Sequence, residues 1–130
     1  SGHRMGTAEV ESALVAHAKV AEAAVVARDD ALKGHLPTGF VVLKSGEDID
    51  EAQLEEELVA RVREEVGALA CFRKAVVVER LPKTRSGKIL RAVLRKIAAN
   101  ERYKMPSTID DETILPEIEG ILARRGVVRV

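Results

Sequence analysis

Apolar residues recur at helical spacing along much of the chain, and the residues that border these stretches favour helix ends. Thr7 can cap a first helix, which we expect to end near residues 17–19. Asp50 can cap a second helix, and Gln53 stands three positions later, where a capping box needs it. Gly67 is placed to end that helix. The apolar stripe of the second helix has four-residue spacing and comprises Leu54, Leu58, Val62 and Val66.

Two later stretches show the same periodicity. Residues 89–97 can lay one apolar face against a core, and Ser86 is the predicted N-cap of that helix. After Asn100 the periodicity fades until residues 116–122, which predict a short helix at the periphery of the domain. We therefore expect residues 105–130 to form a peripheral C-terminal tail.

Short apolar runs rich in β-branched residues predict the strands. They cover residues 23–27, 39–43 and 75–78, and their continuous apolar character is typical of strands that are buried on both faces. Within the polar stretch 28–38, residues 29–37 are expected to be a loop. Because a strand, helix, strand order favours a parallel pair, the predicted fold class is α/β. We expect one small compact domain over residues 1–130, with a mixed sheet of three or slightly more strands packed by helices.

Composition narrows the range of functions. The 21 lysine and arginine residues balance 21 aspartate and glutamate residues, so nothing indicates a general attraction to nucleic acid or to a membrane. A single cysteine, Cys71, cannot form an internal disulfide, which favours a reducing compartment, and we interpret it as a core thiol. No apolar run is long enough to cross a bilayer and no signal-peptide pattern opens the sequence. We therefore expect a cytoplasmic protein.

The stretch 82–88 combines turn chemistry with positive charge. Pro82 fixes φ and Gly87 tolerates positive φ, so a turn is expected before the third helix. Cations at the start of a helix are unfavourable unless an anion is present, since the helix dipole is positive there. Either this is a site for an absent anion, or it is a solvated basic face. The cations concerned are Lys83, Arg85, Lys88 and Arg91.

No complete catalytic constellation is visible in the sequence. There is no nucleophile paired with a base and no cluster of metal ligands. A phosphate-binding P-loop does not fit, because Pro82 stands where its first glycine would be and Ile89 where it needs serine or threonine. These residues therefore indicate a contribution to a site that is completed elsewhere.

Residues 82–88, Pro-Lys-Thr-Arg-Ser-Gly-Lys, resemble the motif that closes the C-terminal domain of the AMP-forming acyl-CoA synthetases, in the adenylate-forming superfamily. Residues 1–11 resemble the loop and helix just after the interdomain hinge of that family, and the spacing between the two segments also agrees. The resemblance covers nearly the whole chain and is greatest to short-chain enzymes acting on acetate or propionate. It implies that residues 1–130 are the mobile C-terminal domain of an acid–CoA ligase.

The resemblance also implies roles for individual residues. Lys88 matches the lysine that reaches the carboxylate and the α-phosphate during adenylation. Arg4 matches an arginine at the nucleotide phosphate, Ser1 a residue that contacts CoA, and Gly2 a position that lines the pantetheine passage. Arg63 falls where the family has an arginine at the CoA nucleotide. On the residues alone, an exposed cation in an i,i+4 pair is an equally simple interpretation of Arg63.

Further expectations from the resemblance concern ligands, partners and control. Val15, His17 and Val20 match a cation position, supplied largely by backbone oxygens at a helix end. The full-length enzyme is expected to use ATP, CoA and Mg with a small carboxylic acid, and to pair this domain with its own large N-terminal domain. Acetylation of Lys88 by a protein lysine acetyltransferase, reversed by a deacetylase, is expected to control the enzyme.

Two other interpretations stay open at this point. One is a free-standing anion-binding or protein-interaction module whose basic helix docks a phosphate or an acidic partner. The other is the equivalent domain of an adenylating enzyme that loads a carrier protein. If the chain is a domain of an acid–CoA ligase or of a carrier-loading enzyme, the isolated domain is expected to be catalytically inactive.

Overall fold

The described part of the chain folds into helices and strands in mixed order. A computed structural model describes residues 7–30, 34–67 and 72–125, of which residues 28–30 and 34–36 are described by their backbone only. None of the helices in these residues has both the length and the apolar character needed to span a lipid bilayer. In chain order the elements are α1 (Thr7–Val15), β1 (Val20–Asp30), β2 (Gly34–Leu43), α2 (Glu51–Glu65), β3 (Lys74–Val77), α3 (Arg91–Ala98) and α4 (Ile114–Arg125).

The strands form one mixed sheet in the order β1-β2-β3. β1 pairs with β2 in antiparallel orientation, with Ala24 opposite Phe40. β2 pairs with β3 in parallel orientation, with Phe40 opposite Val76. The α/β class, the mixed three-stranded sheet and the parallel pair across α2 are therefore confirmed.

The prediction of a loop over residues 29–37 is wrong, because most of these residues are paired in strands. The ladder between β1 and β2 continues to Asp30 opposite Gly34 and includes Ala27 opposite Pro37. Apolar composition marks only the buried part of a strand. An antiparallel hairpin satisfies backbone N–H and C=O groups along polar residues as well, so the strands extend beyond their apolar residues.

Side chains alternate between the two faces of the sheet, so the strands contribute to two cores. In β2, Phe40 belongs to one buried cluster and Val41 to the other. Leu14 of α1 and Leu58 of α2 pack with Val41, whereas Leu94 packs with Phe40 and places α3 on the opposite face. The domain thus has three layers, and the prediction that the strands are buried on both faces is confirmed.

The N-terminus of α2 shows how much of the predicted capping box is formed. Asp50 is the N-cap, and its Oδ2 accepts the Gln53 N–H at 3.0 Å, as predicted. The reciprocal bond is wrong: the Gln53 side chain donates to Glu57 Oε2 at 2.9 Å, because a charged acceptor lies one turn ahead. Gly67 lies just beyond the helix with φ at +122°, and its N–H donates to Val62 O at 3.0 Å. Its predicted role as the helix end is confirmed.

The prediction of a short peripheral helix at residues 116–122 is wrong in its length and its position. α4 begins two residues earlier and runs to Arg125. Ile118 and Leu122 are completely buried in the same cluster as Phe40. Proline is tolerated in the first turn of a helix, so Pro116 does not mark its start. This helix is therefore one layer of the core.

A main-chain N–H on each edge strand is covered by a carboxylate. β1 and β3 flank β2 and so form the edges of the sheet. Glu11 of α1 accepts the Val25 N–H at 2.8 Å, and Glu55 of α2 accepts the Ala75 N–H at 2.9 Å. Free N–H groups on edge strands are the places where strands of other molecules add. The helices thus occupy both edges with their own side chains.

Candidate functional site

Residues 82–90 form a narrow hairpin that presents Lys88. The Thr84 N–H donates to Lys88 O at 2.8 Å, and the Gly87 N–H donates to Thr84 O at 2.9 Å. Gly87 has φ at +92°, in the region that other residues seldom adopt, so the tight turn requires glycine there. Lys88 itself is exposed. The hairpin thus fixes the backbone of this lysine while its side chain reaches into solvent.

The prediction that Ser86 is the N-cap of the following helix is wrong. α3 begins at Arg91, and its N-cap is Leu90, which makes no side-chain cap hydrogen bond. The Leu90 N–H donates to Pro82 O at 2.9 Å, so the hairpin extends to the residue just before the helix. Lys88 therefore precedes α3. The unfavourable dipole interaction expected for the whole set of cations applies to Arg91 alone.

A second segment holds the hairpin from outside. The Asp110 N–H donates to Lys83 O at 2.8 Å, and Thr84 forms an antiparallel bridge with Ile109. Ile109 is buried in the same core cluster as α3. The strand of the hairpin that leads to the turn is therefore tied to the core through main-chain bonds.

The segment that supports the hairpin is itself fixed by Asp111. Its carboxylate accepts hydrogen bonds from Thr113 Oγ1 at 2.6 Å and from Arg80 Nη1 at 2.8 Å. The bonds from Thr113, followed by the one from Arg80, lower the pKa of Asp111 to about 2. Asp111 thus stays ionised at neutral pH and keeps this support in place.

The chain's own carboxylates neutralise part of the predicted cation cluster. Lys83 Nζ lies 2.7 Å from Glu22 Oε1 on β1. Arg91 forms a two-point ion pair with Glu11 of α1. The members of this cluster that are left for an external anion therefore lie in the turn. Of the four cations in this cluster, Arg85 and Lys88 are exposed and form no ion pair with any described residue.

Lys88 can supply a single mobile positive charge. Its ammonium group sits on a flexible four-carbon stem, whereas its backbone is fixed by the hairpin. Such a group can neutralise anions that meet in a site with little water. The geometry leaves this exposed side chain free to reach an anionic group on another surface.

Arg63 is exposed on α2, as a nucleotide contact would need. The i,i+4 pair considered for it is formed instead by Arg61 and Glu65, at 3.3 Å. Arg63 makes no ion pair within the described part of the chain. α2 packs in one core cluster, whereas Ile89, next to Lys88 in the hairpin, packs against the cluster on the opposite face, so the structure does not bring Arg63 and Lys88 together.

Four residues singled out in the sequence lie outside the described residues. Ser1, Gly2 and Arg4 precede α1, and Cys71 precedes β3. The CoA and nucleotide roles of the first three, and the core position of the cysteine, stay predictions.

The predicted cation position follows α1. His17 Nδ1 accepts the Lys19 N–H at 3.1 Å, and His17 Nε2 lies 2.7 Å from Glu57 Oε1. The hydrogen bond from His17 is the main cause that lowers the pKa of Glu57 below its usual value. Both ring nitrogens are thus engaged, so a cation here would depend on backbone oxygens such as that of Val15, at the helix end.

One of those oxygens is also engaged, since the Val20 N–H donates to His17 O at 3.1 Å. Within residues 7–30, 34–67 and 72–125, no group of three or more His, Cys, Asp or Glu side chains is arranged to hold a metal. The cation site at Val15, His17 and Val20 stays a prediction.

Comparison with protein families matches residues 9–88 to the AMP-binding enzyme C-terminal domain. The matched segment begins in α1 and ends at Lys88, so it contains the helix with Glu11 and nearly all of the hairpin. It covers more than half of the chain.

Known proteins resemble the chain over most of its length. It is 62% identical over 125 residues to an uncharacterised protein of Pseudomonas aeruginosa, covering 96% of this chain and 20% of that protein. It is 54% identical over 117 residues to an acetyl-coenzyme A synthetase of Bdellovibrio bacteriovorus, covering 90% of this chain and 17% of that protein. The chain therefore spans about a fifth of the length of these curated relatives.

Solved structures agree with this likeness. The crystal structure of the Brucella canis acyl-CoA synthetase matches with a TM-score of 0.67 at 44% identity, covering 74% of this chain and 18% of that chain. The shared fold therefore extends across most of the elements described above.

Proposed function

The chain belongs to the family of AMP-binding enzyme C-terminal domains, and we propose that it is the mobile C-terminal domain of an AMP-forming acid–CoA ligase that acts on acetate or propionate. The observation that carries this proposal is Lys88, which is exposed beside the turn of a fixed hairpin and has no carboxylate partner among the described residues. The likeness to an acetyl-coenzyme A synthetase supports a short-chain acid.

In this proposal the large N-terminal domain of the same enzyme binds ATP and the acid, and Lys88 enters that site. Attack of a carboxylate on the α-phosphate brings two anions together. The Lys88 ammonium neutralises both, in a place where water is scarce and the charge acts strongly. ATP and CoA are the cosubstrates, with Mg as the ion that accompanies ATP.

The second half-reaction, transfer of the acyl group to CoA, uses other residues of the domain. Arg63 is assigned to the CoA nucleotide, since a guanidinium binds phosphate through several N–H groups. Ser1, Gly2 and Arg4 are assigned to CoA and the nucleotide by family likeness. The placement of Arg63 and Lys88 on elements that pack on opposite faces supports a domain that turns between two poses.

The pairing of cations weighs against a free-standing anion-binding module. Lys83 and Arg91 are held by Glu22 and Glu11, so two of the four cations in the predicted cluster are already neutralised and not available to a phosphate or an acidic partner. Neither nucleic acid nor a membrane is proposed as a partner. A cytoplasmic location is part of the proposal, because the single cysteine cannot form an internal disulfide.

The longer protein that contains this domain is expected to convert short-chain carboxylates and CoA to thioesters, with release of AMP from ATP. The 130-residue chain alone is expected to release none, because the proposal places the ATP site in the N-terminal domain. A panel of carboxylates assayed for AMP and acyl-CoA tests this. Thioester formation without AMP release, or transfer to a carrier protein in preference to CoA, contradicts the proposal.

We further propose that reversible acetylation of Lys88 controls the ligase. An acetyl group removes the one charge that adenylation needs and adds bulk where the carboxylate must sit. The exposure of Lys88 supports access by an acetyltransferase and a deacetylase. Arg85 and Arg95 are exposed and form no ion pair with described residues, so they are the cations that can attract an acidic enzyme surface.

After incubation with an acetyltransferase and acetyl-CoA, label is expected to concentrate on Lys88, and this preference should weaken as salt rises. Mass spectrometry of the digested chain measures the distribution. Lys74 and Lys104 are the controls, because both are exposed lysines outside the hairpin. Equal labelling of all three lysines would point to non-enzymatic acylation and contradict the proposal.

A further inference from the structure

Thr84 directs three polar groups toward the turn that carries Lys88. Its N–H donates to Lys88 O at 2.8 Å, and its carbonyl accepts the Gly87 N–H at 2.9 Å. Its hydroxyl Oγ1 accepts the Lys88 N–H at 3.1 Å and lies 3.0 Å from Ser86 Oγ. One residue therefore bonds both the N–H and the C=O of Lys88.

The hydroxyl is the part of this arrangement that a substitution can remove without changing the backbone. Thr84 Oγ1 is the acceptor that the structure gives the Lys88 N–H, so its removal leaves this exposed N–H to water. The peptide before Lys88 is also the one that joins it to Gly87, a residue with wide backbone freedom. The Thr84 hydroxyl thus restrains the peptide between Gly87 and Lys88. Rotation of this peptide would change the direction of the Lys88 side chain.

We propose that Thr84 is a positioning residue for Lys88 in adenylate formation. The inference rests on the proposed function, in which the Lys88 ammonium must reach two anions at once. A long side chain on a loose turn samples many directions, whereas the hydroxyl bond holds Cα and Cβ of Lys88 in one orientation. Reactions of this kind are sensitive to placement, because an error of about 1 Å can cost about a hundredfold in rate.

Three substitutions in the full-length enzyme test the hydroxyl. Thr84→Val keeps the shape and removes the acceptor, Thr84→Ser keeps the acceptor, and Ser86→Ala removes only the neighbouring hydroxyl. With Thr84→Val we expect kcat for adenylate formation to fall about ten- to a hundredfold. The KM values for ATP and the acid, and thioester formation from a supplied acyl-adenylate, should be nearly unchanged. Thr84→Ser and Ser86→Ala should stay close to the unmodified enzyme.

Amide hydrogen exchange in the 130-residue chain gives a readout that does not depend on any enzymatic activity. Thr84→Val is expected to speed exchange of the Lys88 N–H about tenfold, since its acceptor is gone. The Leu90 N–H, bonded to Pro82 O in the same hairpin, should keep its protection. Thr84→Ser should restore slow exchange at Lys88.

The outcomes separate this inference from the function on which it rests. If Lys88→Ala leaves adenylation unchanged, the proposed function is wrong. If Lys88→Ala is impaired but Thr84→Val is not, the positioning role is wrong. Three other outcomes would show that Thr84 merely maintains the fold, and each overturns the inference. They are an equal loss in both half-reactions, failure of Thr84→Ser to restore activity, and loss of exchange protection at Leu90 along with Lys88.

Discussion

Replacing Lys88 by alanine is expected to slow adenylate formation about 10²- to 10³-fold, the range found when one charge-stabilising donor is removed from an active site. Thioester formation from a supplied acyl-adenylate should stay within a few-fold of normal, because in the proposed mechanism the second pose withdraws Lys88 from the reaction centre. Pyrophosphate exchange measures the first half-reaction in the full-length enzyme, and acyl-CoA formation from the adenylate measures the second.

Arg85→Ala is the matched control for Lys88→Ala. Arg85 is the other exposed cation of the turn without an ion pair to a described residue, so its loss changes the local charge by the same amount. It should leave adenylation nearly unchanged if the Lys88 ammonium is the reacting charge. Equal slowing by the two variants would indicate a general electrostatic effect, and equal losses in both half-reactions would contradict the two-pose mechanism.

Ile118→Ala is expected to destabilise the 130-residue chain by about 2–5 kcal/mol, the usual cost of truncating a fully buried aliphatic side chain. Ile118 is completely buried in the core cluster that α4 shares with α3 and the sheet. The shift of the urea midpoint at unchanged slope measures this loss. A loss of stability within about 0.5 kcal/mol, as for most surface substitutions, would show that α4 is a peripheral helix and not a layer of the core.

Ile121→Ala on the same helix is the control for Ile118→Ala. Ile121 is only partly buried against that cluster, so its truncation removes less buried area and leaves a smaller cavity. Its cost should be clearly smaller. Similar costs for the two variants would mean that both report on helix formation and not on the core.

Much of the fold was predictable because local chemistry and burial agree there. Asp50 and Gly67 mark the ends of α2 by side-chain and backbone preferences that act within one turn. The short apolar runs marked the buried centres of the strands. Their polar extensions to Asp30 and Gly34 were missed, since only pairing between strands shows them.

The hairpin was harder to predict, because its residues suit two structures. Serine followed by glycine favours both a helix N-terminus and a tight turn. The choice is made by Ile109 and Asp110, which bind the other side of the hairpin and follow it in sequence. No local pattern reveals such a contact.

The charge of the site was overestimated for a similar reason. Lys83 and Arg91 could be counted in the sequence, but their partners could not. Glu11 is 80 residues from Arg91, and Glu22 lies on β1, far from the hairpin in sequence. The fold shows that Lys88 is the lysine of this cluster without a carboxylate partner among the described residues. The family motif had already indicated the same residue.

The carboxylates on the sheet edges affect whether edge strands of neighbouring molecules can pair at high protein concentration. In the proposed function the domain turns between two poses and uncovers part of its surface at each turn, and its three-stranded sheet has two edges to which strands of other molecules could add. Glu11 and Glu55 occupy an N–H on each edge from within the same molecule, so a neighbouring copy finds no continuous row of donors to extend. The proposed motion can therefore uncover these edges without exposing an unbroken row of N–H groups.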